Sequence, residues 1–301
     1  MIENKNKHLL KEIRNNADKY ILLTPFLVLF MLFTVLPVMS SIVLGYSNFN
    51  LLEMPKFVGF DNYIRLFLDD SVFTIAFKNT IIFAIVTGVF GYFLSLLLAW
   101  VINEFSSGVR TFLTFLFYSP SIASNLYVIW TFIFSSDSYG LLNSLLMQLG
   151  IIKTPIAYLT DTKYMLICCI FVQIWMSFGT GFLSFIAGLQ GIDKSIYEAG
   201  AIDGIRNRFQ EFGLLTLPSM GPQLMFGAVM QISSSFSAGA VCIALCGNPS
   251  TDYAASTIVT HILDYGNIRY EMGYASAIAT VLFVFMLATN GVVNRILRRF
   301  T

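Results

Sequence analysis

The sequence predicts an all-α polytopic membrane protein with six transmembrane helices, and three observations support this fold class. The 301 residues are 56% hydrophobic and 12% charged, whereas soluble domains carry about 25% charged residues. The charges are grouped, so long charge-free intervals separate them. These intervals are continuously apolar instead of alternating, which indicates helices and not the strands of a membrane barrel. A net charge of +1 offers nucleic acid no basic surface.

The first three intervals each predict one helix, because a bilayer core about 30 Å thick needs about 20 apolar residues. They lie between Lys19 and Glu53, between Lys78 and Glu104, and between Arg110 and Asp137. The first interval is too long for the apolar part of a signal peptide, so we expect a retained anchor. The predicted helices cover residues 20–45, 74–103 and 111–135.

The last three intervals end at Asp193, Asp252 and Arg295. The middle one could almost cross the membrane twice, but prolines delimit it and the polar run 233–235 interrupts it, so one helix is predicted there. The predicted helices cover residues 164–190, 218–246 and 272–295. Residues 20–299 therefore form one transmembrane domain, which follows a charged N-terminal segment, 1–19, predicted to be a short surface helix from Ile2.

Lysine and arginine set the predicted orientation, because they are enriched in cytoplasmic loops. With the N-terminus inside, twelve of the eighteen lie in inner segments. Six helices then place both termini in the cytoplasm. The loop over residues 191–217 is on the same side, and a charge-free amphipathic piece, Leu141–Ile152, lies on the outer side.

The inner loop 191–217 contains an unusual local pattern. Ser195 followed three residues later by Glu198 suggests a capping box, the small residues 199–201 keep one helix face thin, and Gly204 permits a turn. A second amphipathic piece carries Phe209 and continues to the next span. A thin, capped helix with a turn suits insertion into a groove of a partner. The same loop could also lie on lipid headgroups through its arginines, and the residues alone favour neither interpretation.

A resemblance to a known family decides in favour of the helix that inserts into a partner over the loop that lies on lipid headgroups. Glu198-Ala199-Gly200, then Gly204 and Leu217-Pro218, resemble the EAA signature of permease subunits of binding-protein-dependent ABC importers. The wider segments 57–63, 197–204, 216–219 and 272–277 are similar to the maltose-type sugar permeases. Two departures are a glycine at 200, where the signature has alanine, and one extra residue before the proline. The glycine could weaken the helix by up to about 1 kcal/mol.

The resemblance implies a type I ABC importer permease fold in a bacterial cytoplasmic membrane. It implies that the loop forms a coupling helix that docks on an ATPase dimer, through the residues Glu198, Ala199, Gly200, Ala201, Asp203 and Gly204. The other implied partners are a second homologous permease, an extracytoplasmic sugar-binding protein, a carbohydrate, expected to be an oligosaccharide, and membrane lipid. ATP and magnesium would bind to the ATPase and no cofactor to this chain, which agrees with the absence of a GxxxxGK[ST] phosphate loop from the sequence.

Candidates for the substrate path are aromatic, amide and hydroxyl residues at membrane depth, since sugars need such partners. They are Asn125, Tyr127, Trp130, Gln173, Trp175, Gln231 and Ser234. For each, helix packing is the competing interpretation. The outer segment Asp61, Asn62 and Tyr63 is a candidate contact for the binding protein, with an ordinary polar loop as the alternative.

Two other classes of function fit the sequence less well. An ion-coupled secondary transporter of a small polar solute usually has ionisable residues inside the membrane, and the middles of all six predicted helices lack them. A membrane enzyme would need a metal cluster or paired carboxylates at membrane depth. The four cysteines have neither histidine nor carboxylate beside them, so we expect no metal site and no catalytic residue.

Overall fold

A computed structural model of the chain describes residues 16–123 and 126–298. Within these ranges the chain is helical, apart from one isolated β-bridge between Ser47 and Phe57 and the connecting loops. Five of the described helices could each cross a membrane, and a bent pair makes a sixth crossing if its two halves are counted together. The all-α polytopic fold class is therefore confirmed. The bounds are α1 Ala17–Leu44, α2 Ser71–Asn103, the bent pair α3 Ser107–Ile122 and α4 Tyr127–Ile133, α5 Met165–Gln190, the short helix α6 Lys194–Ile202, α7 Gly221–Cys246 and α8 Met272–Leu297.

The third predicted helix, 111–135, differs from the structure, because α3 and α4 differ in direction by 88°. Pro120 lies in the last turn of α3 and lacks the amide hydrogen that would bond to the carbonyl of Leu116. The Ser119 hydroxyl donates to that carbonyl instead, at 3.0 Å. The helix ends at Ile122. Of the predicted surface helix that starts at Ile2, the part up to residue 15 lies outside the described residues.

Two membrane-spanning helices are interrupted near their middles. In α5, helical residues Met165–Trp175 and Thr180–Gln190 are separated by residues 176–179. In α7, Gly221–Phe236 and Gly239–Cys246 are separated by residues 237–238. Backbone groups at such breaks are tolerated at membrane depth where the break is buried in protein or lines a cavity.

The core lies where α2, α5 and α7 pack against one another. Its buried side chains include Leu96, Phe182, Phe185, Met220 and Leu224. By contrast, Ala17–Phe30 of α1 contains no buried residue. This apolar half of α1 is suited to contact with lipid or with another membrane helix.

Polar side chains join several elements at the end of the bundle away from α6, which we call the far end; the end that carries α6 is the loop end. This Asp70 cluster consists of Arg65, Asp70, His261, Glu271 and Tyr274. One Asp70 oxygen lies 2.9 Å from His261 Nε2 and accepts from the Tyr274 hydroxyl at 2.7 Å. Arg65 pairs with Glu271 and stacks on the Tyr274 ring, 4.2 Å from its centroid. Burial alone would raise the pKa of Asp70, but the hydrogen bonds outweigh burial and hold that pKa below its ordinary value.

Candidate coupling helix and polar groove

The short helix α6 occupies the predicted coupling segment, but it begins one residue before Ser195. The Asp193 carboxylate caps it by accepting the Ser195 amide hydrogen at 3.0 Å. The predicted capping box of Ser195 and Glu198 is therefore wrong, because the aspartate two residues earlier takes the amide that needs a partner. The same hydrogen bond lowers the pKa of Asp193.

A Schellman motif ends α6 at Gly204. Its φ is +94°, a left-handed value that favours glycine. The amide of Ile205 donates to Gly200 O at 3.0 Å and the amide of Gly204 donates to Ala201 O at 3.4 Å, which satisfies two carbonyls at the helix end. The turn predicted at Gly204 is thus present, and it folds the chain back beside α6.

Five of the six predicted docking residues are exposed and the sixth is buried. The exposed residues are Glu198, Ala199, Ala201, Asp203 and Gly204. Gly200 faces inward, where a Cβ atom would lie 2.5 Å from Leu215 Cδ1 and 3.2 Å from Ile205 Cδ1. The departure from the signature at this position therefore has a packing reason, since alanine would displace the leucine.

Hydroxyl-bearing side chains of α3, α5 and α7 line an open groove of about 430 Å³. It follows the breaks in α5 and α7, and none of its lining residues is charged. The helical half Thr180–Gln190 begins there without a side-chain cap, so its first amides can donate to acceptor oxygens. The lining residues are Tyr118, Ser121, Met176, Ser177, Gly179, Thr180, Gly181, Met230, Gln231, Ser233, Ser234 and Ser237.

The structure brings three of the predicted substrate-path residues to this groove or its wall. Gln231 and Ser234 line it, and Gln173 donates to the Ser234 hydroxyl at 3.1 Å. The side-chain amide of Gln231 is already hydrogen-bonded, because it donates to Thr87 O of α2 at 2.9 Å. These contacts leave the Ser234 hydroxyl hydrogen available to a ligand and hold it in place.

The other candidates lie elsewhere. Trp130 and Trp175 pack edge to face, with ring centroids 5.4 Å apart, and Trp130 also contacts Phe134 and Phe171. Tyr127 packs against the same apolar cluster. Asn125 lies outside the described residues. In the structure, Tyr127 and both tryptophans therefore have the helix-packing role.

Sequence reasoning missed most of the groove. Ser177, Thr180 and Ser237 lie at or beside the breaks in α5 and α7. A signal was present, because serine and glycine were concentrated within otherwise apolar intervals, and these residues favour breaks over continuous helix. The polar run 233–235 served only to limit that interval to one span, and the predicted helix 218–246 was continuous, whereas the structure breaks it at residues 237–238.

The predicted outer contact 61–63 is mostly engaged within the fold. The Asn62 amide donates to Gly45 O at 2.9 Å and to Ser47 O at 2.8 Å. The Tyr63 ring packs on Tyr46, with centroids 5.2 Å apart. Only Asp61 of the three is exposed. Asn62 and Tyr63 therefore attach this segment to the end of α1.

Residues 91–301 match the family of binding-protein-dependent transport system inner membrane components. Among curated relatives, the probable ABC transporter permease YesP of Bacillus subtilis is 31% identical over 91% of this chain and 88% of its own. The lactose transport system permease LacF of Rhizobium radiobacter is 32% identical over 71% of each chain. The arabinooligosaccharides transport system permease AraP of Bacillus subtilis is 28% identical over 91% of this chain and 86% of its own.

A solved structure extends the similarity to nearly the whole chain. A chain of a bacterial ABC transporter that imports the acidic polysaccharide alginate superposes with a TM-score of 0.78 and 26% identity, covering 98% of this chain and 99% of that one. A second similar structure is of a bacterial alginate ABC transporter in complex with a periplasmic protein bound to an alginate pentasaccharide. The family match spans most of the six-helix region and includes α6, the polar groove and the loop that joins them. The chain therefore belongs to the inner membrane components of binding-protein-dependent transport systems, the permeases of ABC importers.

Proposed function

We propose that this chain forms half of the translocation path of an ATP-driven carbohydrate importer. In this proposal the loop end and both termini are cytoplasmic, and α6 is the coupling helix that docks on a separate ATPase dimer. A second, homologous permease completes the path. The observation that carries the proposal is α6 itself, a helix capped at both ends that, together with the turn after it, exposes five of the six predicted docking residues.

An oligosaccharide is the proposed cargo. Relatives named for lactose and arabinooligosaccharides support this class, as does the similarity to an alginate importer. The groove supports it chemically, because serine, threonine, tyrosine and amide side chains can exchange hydrogen bonds with sugar hydroxyls. The family to which the chain belongs favours this mechanism over the ion-coupled alternative.

The proposed mechanism is alternating access. Closure of the ATPase dimer around ATP would draw the docked coupling helices together and tilt the spans from an inward-open to an outward-open state. An extracytoplasmic binding protein would then release its sugar into the path between the two permeases. The ATPase dimer would hydrolyse ATP, and this chain would supply half of the path and the docking helix.

The test is uptake by membrane vesicles that contain the assembled importer, with labelled lactose, arabinooligosaccharides and alginate oligosaccharides as probes. We expect uptake to require ATP and to survive a proton ionophore. We expect Gly204→Asp to abolish uptake while the protein remains in the membrane, because the substitution changes the docking face and strains the turn.

Gly150→Asp is the matched control. Gly150 also has a positive φ, +70°, and open space around it, but it follows the helix Leu141–Gln148, which lies apart from α6 in the sequence and packs near α4. It should retain uptake. Normal uptake in the Gly204→Asp variant would refute the coupling role. Uptake that does not require ATP and is abolished by the ionophore would favour the secondary transporter.

A further inference from the structure

The coupling helix is attached to two membrane-spanning helices through one short helical segment, residues 208–219. We infer that Trp100 and Glu104, at the loop end of α2, are positioning residues that make α2 follow the movement of α6. This inference rests on the proposed function, because it assigns the route by which the movement of a docked α6 reaches the path. The contacts can be followed in three steps.

The first step joins α6 to residues 208–219. Leu215 occupies the space that the absence of a side chain at Gly200 provides. The Tyr197 hydroxyl lies 3.2 Å from Thr216 Oγ1, and Thr216 is buried. An apolar contact and a half-buried hydrogen bond on neighbouring turns restrain both rotation and sliding of α6. The segment leads directly into α7, so α6 and the start of α7 move together.

The second step joins the same segment to α2. Arg208 Nη2 lies 2.9 Å from Glu104 Oε2, and Nη1 of the same guanidinium lies 2.9 Å from Glu211 Oε1. One turn into α2, the Trp100 ring packs on Phe212 with centroids 4.8 Å apart and on Phe209 at 5.7 Å.

The two kinds of contact have different roles. An exposed ion pair contributes about 0.2–1 kcal/mol, whereas a packed aromatic pair contributes about 0.5–1.5 kcal/mol beyond the area it buries. The aromatic contact therefore holds the segment against α2. The ion pair fixes its position along the helix, because guanidinium and carboxylate must face each other.

The third step carries the link along α2. This helix has 33 residues and therefore spans about 50 Å at 1.5 Å per residue. Near its middle, Thr87 O accepts the amide of Gln231 in the groove wall. At its far end, Asp70 accepts from Tyr274 of α8. A displacement of the loop end of α2 is thus transmitted through one continuous helix to the groove and to the Asp70 cluster at the far end.

The test compares Arg208→Glu, Glu104→Arg and the double charge reversal in vesicles that contain the importer with its ATPase. The measured quantity is the number of arabinooligosaccharide molecules taken up per ATP hydrolysed. Each single reversal places like charges together, and we expect the ratio to fall about fivefold, the lower range of allosteric coupling. The double reversal should raise the ratio above that of both single variants, because it restores an opposite-charge pair between positions 104 and 208. Recovery should stay incomplete, because Glu211 then faces a like charge at position 208.

The matched control is Glu53→Arg, which reverses one member of the exposed Lys56–Glu53 pair in the segment before Asp61–Ile64. It should leave the ratio unchanged. Wild-type ratios in both single variants would overturn the inference, and so would a double variant no better than the singles. A merely structural role for the pair would change protein abundance and not this ratio.

A second measurement does not depend on transport. In nanodiscs that hold this chain alone, Trp100→Ala should accelerate amide exchange across residues 194–202 at least threefold, while exchange at residues 141–148 stays unchanged. Unaltered exchange across 194–202 would overturn the attachment to α2. If the wild-type assembly shows no ATP-driven uptake, the proposed function fails, and the exchange experiment still decides whether the attachment exists.

Discussion

Gly273 marks the closest approach between the segment after α1 and the start of α8. A Cβ atom added there would overlap the Ser47 carbonyl oxygen and would lie 2.9 Å from the backbone nitrogen of Phe49. Gly273 is in the first turn of α8, and its amide donates to Phe49 O at 2.8 Å. Gly273→Ala must therefore push apart two backbones instead of a flexible side chain. We expect a loss of about 1–3 kcal/mol from overpacking and about 1 kcal/mol from the broken hydrogen bond, so about 2–4 kcal/mol in total.

The assay is unfolding of the purified protein by SDS in mixed micelles, followed by tyrosine and tryptophan fluorescence. Gly291→Ala is the matched control, because Gly291 is in the same helix, is exposed and has no atom within 4 Å of an added Cβ. Alanine there should leave the free energy of unfolding unchanged or raise it by up to about 1 kcal/mol. Equal free energies for the two variants would refute the claim that the Gly273 contact is closed to a side chain.

Three further predictions concern other contacts. Gly200→Ala should accelerate amide exchange across residues 194–202, and adding Leu215→Ala should reverse the effect because the obstructing methyl groups are gone; exchange that stays fast in the double variant would contradict this packing. Asn62→Ala should lower the free energy of unfolding by about 1–3 kcal/mol, since two backbone carbonyls lose their donor; an unchanged SDS midpoint would show that the amide is dispensable. The pKa of Asp70 is lowered in the folded protein, so its stabilising contribution is complete above the unfolded value of about 3.9 and is lost as pH falls through the folded pKa. Asp70→Asn should therefore flatten the stability of the far end between pH 5 and the folded pKa, and a pH profile that matches the wild type would contradict the role of this carboxylate.

The helices were predictable because each is an apolar run bounded by charges, and this signal depends on the chain alone. The interruptions within these helices were less predictable. Pro120 ends α3 early, yet prolines in membrane helices often cause only a kink, so the sequence could not fix the direction of α4. The breaks in α5 and α7 depend on glycine and serine residues whose effect is decided by packing.

The candidate site divides in the same way. Gly204 was predicted as a turn because its local chemistry demands one. Gly200 was predicted to keep one helix face thin at a small cost to the helix. Its packing partner, Leu215, was not predictable, because it is fifteen positions away and packs on Gly200 only after the loop folds back. Trp130 and Gln173 are equally plausible sugar ligands by composition. The fold separates them, placing Trp130 in an aromatic cluster and Gln173 beside the groove.

The uncharged lining of the groove has a consequence for ionic strength. At 0.1 M salt, charges interact over about 10 Å, and at 1 M over about 3 Å. The exposed pair of Glu104 and Arg208 is subject to this screening, whereas hydroxyl and amide contacts in the groove are not. Raising salt should therefore weaken the transmission of movement while leaving the passage of a neutral sugar through the groove unaffected, which makes salt concentration a means of separating the two functions in one transporter without any substitution.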